Sequence, residues 1–128
     1  MSTITLTLDS FASTVDAGGI VFVDFWAAWC GPCRSFAPTF EAASEQHPDI
    51  VFGKVDTEAE QQLAAQFRIS SIPTLMVFRD GILVYAQPGA LAAPQLEQLV
   101  QGARGLDMDD VRRQIAEREH DAQPAPAA

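Results

Sequence analysis

The stretch Ile20-Val21-Phe22-Val23-Asp24-Phe25-Trp26-Ala27-Ala28-Trp29-Cys30-Gly31-Pro32-Cys33 decides the fold. Ile20 to Trp26 is a nearly continuous run of apolar, β-branched and aromatic residues, which suits a strand buried on both faces. Asp24 is its only interruption. Gly31 to about Gln46 then reads as a helix. Pro32 falls in its first turn, where a missing N–H costs nothing. Pro38 lies inside it and kinks it, because no bond to the Arg34 carbonyl can form. Two cysteines, Cys30 and Cys33, therefore sit where a buried strand turns into a helix.

Outward from this junction the chain alternates strands and helices. Ile4 to Leu8 alternates apolar residues with threonine, the period of a strand. Asp9 or Ser10 N-caps a short helix through Val15, and Gly18-Gly19 ends it. Ile50 to Asp56 is a second buried strand, and Glu58 to Phe67 a helix. Thr74 to Phe78 and Ile82 to Tyr85 are strands joined by Arg79-Asp80-Gly81, where Asp-Gly signals a hairpin. Pro94 to about Ala103 is a helix. The order β-α-β-α-β-α-β-β-α predicts an α/β domain over residues 1–105. Its centre is a mixed five-stranded sheet flanked by helices on both faces. Residues 106–119 read as an extra acidic helix, capped by Asp107 or Asp109, with Met108, Val111 and Ile115 at helical spacing. Residues 120–128 read as a disordered Pro/Ala-rich tail. The extension is either a solvated helix with a frayed end or a segment that binds a partner or folds back.

Composition narrows the function. The 128 residues are 48% hydrophobic and 20% charged, enough to bury a core. Eight basic residues stand against 17 acidic ones, a net charge of -9. A nucleic-acid binder needs the opposite sign, and adhesion to anionic membranes is disfavoured for the same reason. No run approaches the ~20 apolar residues of a membrane span, and the N-terminus lacks the basic and apolar regions of a signal peptide. The expectation is a cytoplasmic protein. Seven arginines to one lysine, with 20 alanines, point to a GC-rich bacterial genome.

Two cysteines are too few for a disulfide scaffold. At a helix N-terminus they are placed for thiol chemistry. Unsatisfied N–H groups and the helix dipole favour a thiolate on Cys30. The second thiol can donate a hydrogen bond to it, and partial exposure admits a substrate disulfide. The thiolate is the nucleophile of disulfide exchange. A zinc half-site completed by His47 and His120 is the alternative, although neither histidine forms a recognisable pair. Two inert buried thiols are another. Asp24, buried in its strand, has its pKa raised by desolvation. It can then exchange a proton with Cys33 near neutral pH, or it is simply a buried acid satisfied locally.

The segment Val23 to Cys33 resembles the active site of the thioredoxin family. The likeness continues in register through Pro38, Lys54-Val55-Asp56, Ile72-Pro73-Thr74, Phe78-Arg79-Asp80-Gly81 and Gly89-Ala90, covering roughly residues 3–103. The resemblance implies a thioredoxin fold and a protein-disulfide reductase. Cys30 would be the exposed nucleophile that forms a mixed disulfide with a target protein. Cys33, one turn deeper, would be the resolving thiol. Asp24 would carry the proton, and Lys54 would modulate Asp24 unless it merely reaches solvent from a strand end. Pro73 would follow a cis bond. Trp29, Gly31, Pro32, Ile72, Pro73, Gly89 and Ala90 would form the substrate-binding face, a flat apolar patch suited to weak docking of many targets. Trp26 reads as packed structure. No cofactor or metal would be bound. The redox-active Cys30–Cys33 disulfide would be recycled by a thioredoxin reductase that uses FAD and NADPH. The partners would be that reductase and disulfide-containing target proteins, met by a monomer.

Two departures from the family pattern stand at the site. Pro88 precedes Gly89 where a residue with a backbone N–H is common, and Ala28 stands where relatives often carry a polar or charged residue. Two rival functions share the residues. One is a client-binding or chaperone-like module that uses the patch and the extension. The other is a dedicated electron donor to one enzyme, such as a peroxiredoxin or a methionine sulfoxide reductase.

Overall fold

The computed structural model describes residues 2–122. Along the chain run β1 (Ile4–Thr5), α1 (Leu8–Asp16), β2 (Ile20–Trp26), α2 (Gly31–Gln46), β3 (Val51–Asp56), α3 (Gln61–Gln66), β4 (Thr74–Arg79), β5 (Ile82–Pro88), α4 (Ala93–Arg104) and α5 (Met108–Ala122). The strands form one mixed sheet in the order β1-β3-β2-β4-β5. The helical crossovers α1 and α2 make β1, β2 and β3 parallel. β4 is antiparallel to β2, and β5 to β4. Asp80 and Gly81 both take positive φ, 52° and 82°, which gives the β4–β5 hairpin its two-residue turn.

Because side chains alternate along a strand, β2 feeds two cores. Phe22 packs with Phe52 of β3 and with Leu75 and Val77 of β4, under Phe36 and Phe40 of α2 and Leu96 and Val100 of α4. Val21, Val23 and Phe25 face the other way, under Phe11 and Val15 of α1 and Leu63 of α3. The fold class and the layering agree with the sequence reading.

Element ends differ for local reasons. β1 is two residues rather than five, because Thr7 leaves the strand to cap α1. Thr7 Oγ1 accepts from the Ser10 N–H at 3.3 Å, and Ser10 Oγ accepts from the Thr7 N–H at 2.9 Å. This reciprocal cap replaces the expected cap at Asp9 or Ser10. α3 starts at Gln61 rather than Glu58. Asp56 Oδ1 takes the N–H groups of Glu58 and Ala59, at 2.9 and 3.4 Å, into a turn. β5 runs on to Pro88, which lies opposite Thr74.

The extension folds back on the domain. α5 includes His120–Ala122, which the sequence reading assigned to the tail; no Gly or Pro interrupts the helix there. Tail residues 123–128 lie outside the described residues. Met108 is buried, 7% exposed. Val111 and Ile115 line a groove of about 230 Å³ with Leu106 and with Ile82 and Val84 of β5. One guanidinium nitrogen of Arg79 donates to the carbonyls of Ala103, Arg104 and Leu106 at 2.6, 3.1 and 3.0 Å. Arg79 thereby holds the α4–α5 junction to the end of β4. No helix among the described residues is long and apolar enough to cross a membrane.

Candidate active site

The C-terminal end of β2 delivers the chain through Ala27-Ala28-Trp29 to Cys30, the N-cap of α2. The Cys33 N–H donates to Cys30 Sγ at 3.2 Å, so the sulfur takes one of the orphan donors of the helix start. The two cysteines are joined as a disulfide, with Cα atoms 5.2 Å apart. Both are buried: Cys30 is 4% exposed and Cys33 3%. The expectation of an exposed Cys30 is thus corrected for this oxidised state. Its sulfur is turned inward onto Cys33 and packs with Ala27, Trp26 and Ile72. The chain neighbours Trp29 and Pro32 are exposed.

Across from α2 lies Pro73, at the start of β4, after a cis Ile72–Pro73 bond. The bond geometry agrees with the expectation. The Ile72 carbonyl oxygen lies 3.7 Å from Cys30 Sγ. Pro73 is buried and its carbonyl accepts from the Gly89 N–H at 2.8 Å, which brings the loop after β5 to the same site. Gly89 takes φ 107°, and glycine adopts that value without strain. Gly89 and Ala90 are exposed, and Ile72 and Gly31 are half-buried. A Cβ on Gly31 would meet nothing nearer than the Arg34 guanidinium at 4.0 Å, so the folded chain itself does not demand glycine there.

Among the described residues, Trp29 is the most exposed large apolar side chain, at 67%. Its indole N–H donates to Glu58 Oε1 at 2.7 Å. Trp29 and Ile72 line a shallow groove of about 180 Å³ with Thr57, Ala64, Ile69 and Ser71. Arg34 donates to the Ala28 carbonyl at 2.9 Å, putting a guanidinium beside the position where Ala28 lacks a charge. Sequence reasoning missed Glu58 and Arg34. Their contacts arise from tertiary placement, and no local spacing announces them.

Asp24 is fully buried. It shares a face of β2 with Phe22, the face covered by α2. Cys33, Phe36 and Phe40 share the inner side of that helix. Burial pushes the Asp24 carboxyl up from 3.8 to about 7, and the charge of Lys54 pulls it partly back. Neither carboxylate oxygen has a hydrogen-bond partner among the described residues. Lys54 is half-buried and paired with Asp24 across β3 and β2. Its ammonium lies 4.7 Å from the centre of the Trp26 ring. Among the described residues no group of three or more His, Cys, Asp or Glu side chains could hold a metal ion.

A family model for thioredoxin matches residues 2–102 of this chain. The chain belongs to the thioredoxin family. A Streptomyces coelicolor protein named "Putative thioredoxin 2" is 53% identical over 121 residues, covering 94% of this chain and 90% of that one. Coverage of that extent runs through α5. A thioredoxin of Coprinus comatus is 42% identical over 73% of this chain and 90% of its own. A solved structure of Plasmodium falciparum thioredoxin superposes with a TM-score of 0.71 at 34% identity, covering 78% of this chain and 97% of that one. The chain is a protein-disulfide oxidoreductase working through the Cys30–Cys33 pair. Thioredoxins carry no bound cofactor; the redox-active disulfide is the active group. The family generally works with thioredoxin reductase and disulfide-bearing targets.

Proposed function

We propose that the chain reduces target-protein disulfides with Cys30 as attacking thiolate and Cys33 as resolving thiol. One observation carries this assignment: Cys30 Sγ receives the Cys33 N–H at the N-cap of α2. A thiolate at that position is stabilised by the same bond and by the helix dipole. The reduced Cys30 thiolate attacks one sulfur of a target disulfide, and the other target sulfur leaves as thiolate. Asp24, as carboxylate, takes the Cys33 proton. The Cys33 thiolate then attacks Cys30 Sγ, forming the internal disulfide and expelling the second target sulfur. Two electrons pass to the target, and the pair ends oxidised. A thioredoxin reductase, drawing on NADPH through FAD, returns the electrons.

The docking face is built from Trp29, Gly31, Pro32, Ile72, Pro73, Gly89 and Ala90. The space above Gly31 and the Ile72 carbonyl beside Cys30 support an extended substrate segment lying across the cysteines. Lys54 tunes Asp24 through its charge. Residues 1–105 are the catalytic unit, which acts as a monomer in the cytoplasm. The bacterial relative from Streptomyces supports that compartment.

The test is reduction of a model disulfide protein with NADPH and thioredoxin reductase. Cys30→Ser abolishes turnover, and Cys33→Ser accumulates a mixed disulfide through Cys30. Asp24→Asn keeps the fold and slows resolution. Full turnover in Cys30→Ser would overturn the nucleophile assignment. Unchanged Asp24→Asn rates from about pH 6 to 9 would overturn the proton role.

A further inference from the structure

Asp24 and Trp26 lie two residues apart on β2, and so do Lys54 and Asp56 on β3. The register sets Asp24 opposite Lys54 and Trp26 opposite Asp56, so all four project from the same side of the sheet. Neighbouring strands lie about 5 Å apart. A lysine is long enough to span that distance and grip the carboxylate. It does not. Its ammonium sits over the neighbouring indole, 4.7 Å from the ring centre, and both Asp24 oxygens are left without a hydrogen bond.

Among the described residues, the one charge that acts on Asp24 is that of Lys54. β4 sets Leu75 opposite Asp24. α4 adds the apolar side chains of Leu96, Leu99, Val100 and Ala103 to this core. α2 brings Cys33, which titrates once the disulfide is opened. Asp56 is occupied at its own end, accepting from Glu58 and Ala59. Among the described residues, Lys54 is therefore the cation whose position sets the field at Asp24. An aromatic face attracts a cation without quenching its charge, and it does so from a half-buried site where the ammonium keeps access to water.

We propose that Trp26 is a positioning residue: its ring holds Lys54 off the Asp24 carboxylate, so the lysine acts on that acid by distant charge and not by ion pairing. The inference deepens the reading of Asp24 as the proton-transfer group. It concerns the titration of Asp24 and can be tested apart from turnover.

The experiment is an NMR titration of the Asp24 side-chain carboxyl in the oxidised full chain, in four proteins: wild type, Trp26→Leu, Lys54→Met and the double variant. Removing the ring frees Lys54 to close on Asp24, and the Asp24 midpoint falls by about one pH unit, as for a carboxylate gaining a cation at close range. In the Lys54→Met background the same Trp26 replacement moves the midpoint by less than about a third of that. Equal shifts in both backgrounds overturn the inference, because the ring would then act through burial alone. No shift in the wild-type background overturns it as well. If Trp26→Leu does not fold, Trp26→Phe carries the same comparison with a weaker ring face and a smaller shift of the same sign. Failure of the underlying reading shows elsewhere, as an Asp24→Asn variant with wild-type rates of mixed-disulfide resolution.

Discussion

Asp24→Asn should change the pH dependence of stability. In the unfolded chain the carboxyl ionises near 3.8, whereas in the folded protein burial delays ionisation to about 7. Between those values the folded state keeps a proton that the unfolded state has lost. Stability therefore falls as pH rises, by about 1.4 kcal/mol per pH unit for one proton. The contribution is fully present below the unfolded value and lost once pH passes the folded one. Across the whole window the loss is about 4 kcal/mol, a large part of a small domain's margin. Asparagine keeps the shape and does not titrate, so its own burial cost is a constant offset. The assay is urea unfolding of oxidised wild type and Asp24→Asn from about pH 4 to 8, followed by tryptophan fluorescence. The gap between the two proteins should open in favour of Asn by roughly 4 kcal/mol as pH rises, levelling off above 7. A gap that stays constant within about 1 kcal/mol would refute the claim that burial governs this carboxyl.

Three further outcomes are expected. Removing residues 106–128 strips Leu106, Val111 and Ile115 from β5 and takes away the buried Met108, and should cost about 3 kcal/mol, with reduction of a model disulfide protein unchanged per folded molecule; an unshifted melting curve would show that the fold-back contributes nothing. Gly53→Ala places a Cβ 2.8 Å from Leu6 Cγ, and the urea midpoint should drop by an amount equivalent to about 1–3 kcal/mol. Glu58→Ala removes the acceptor of the Trp29 indole, which should raise KM for a protein disulfide about threefold and leave kcat within about twofold; an equal fall in kcat would place Glu58 in the chemistry itself.

Sequence showed best what depends on pattern and on covalent neighbours. The strand from Ile20 to Trp26, the helix from Gly31 to Gln46 and the Asp-Gly hairpin were all legible, because burial, proline placement and turn chemistry are local. The Cys30–Cys33 pair was legible for the same reason. Element starts were less so. Thr7 looked like the end of an alternating strand, yet its hydroxyl is satisfied by starting a helix. Glu58 looked helical until Asp56 claimed its N–H. The burial of Cys30 depends on its being turned onto Cys33 and against Ile72, which lies 42 residues away. The Trp29–Glu58 bond and the stacking of Lys54 on Trp26 likewise join separate segments. The spacing of one segment carries no information about where another will lie.

The Arg79 guanidinium has a consequence for how this chain can vary. Three carbonyls from three peptide units, those of Ala103, Arg104 and Leu106, converge on a single nitrogen. Such a knot tolerates changes of side chain on either helix but not a change in the count of residues between them. One residue inserted beside Gly105 would pull an acceptor out of reach and rotate α5 by roughly 100° about its axis, turning Val111 and Ile115 away from β5. The helix is thus addressed to its place by the length of a short turn, much as a key is set by the depth of a single notch.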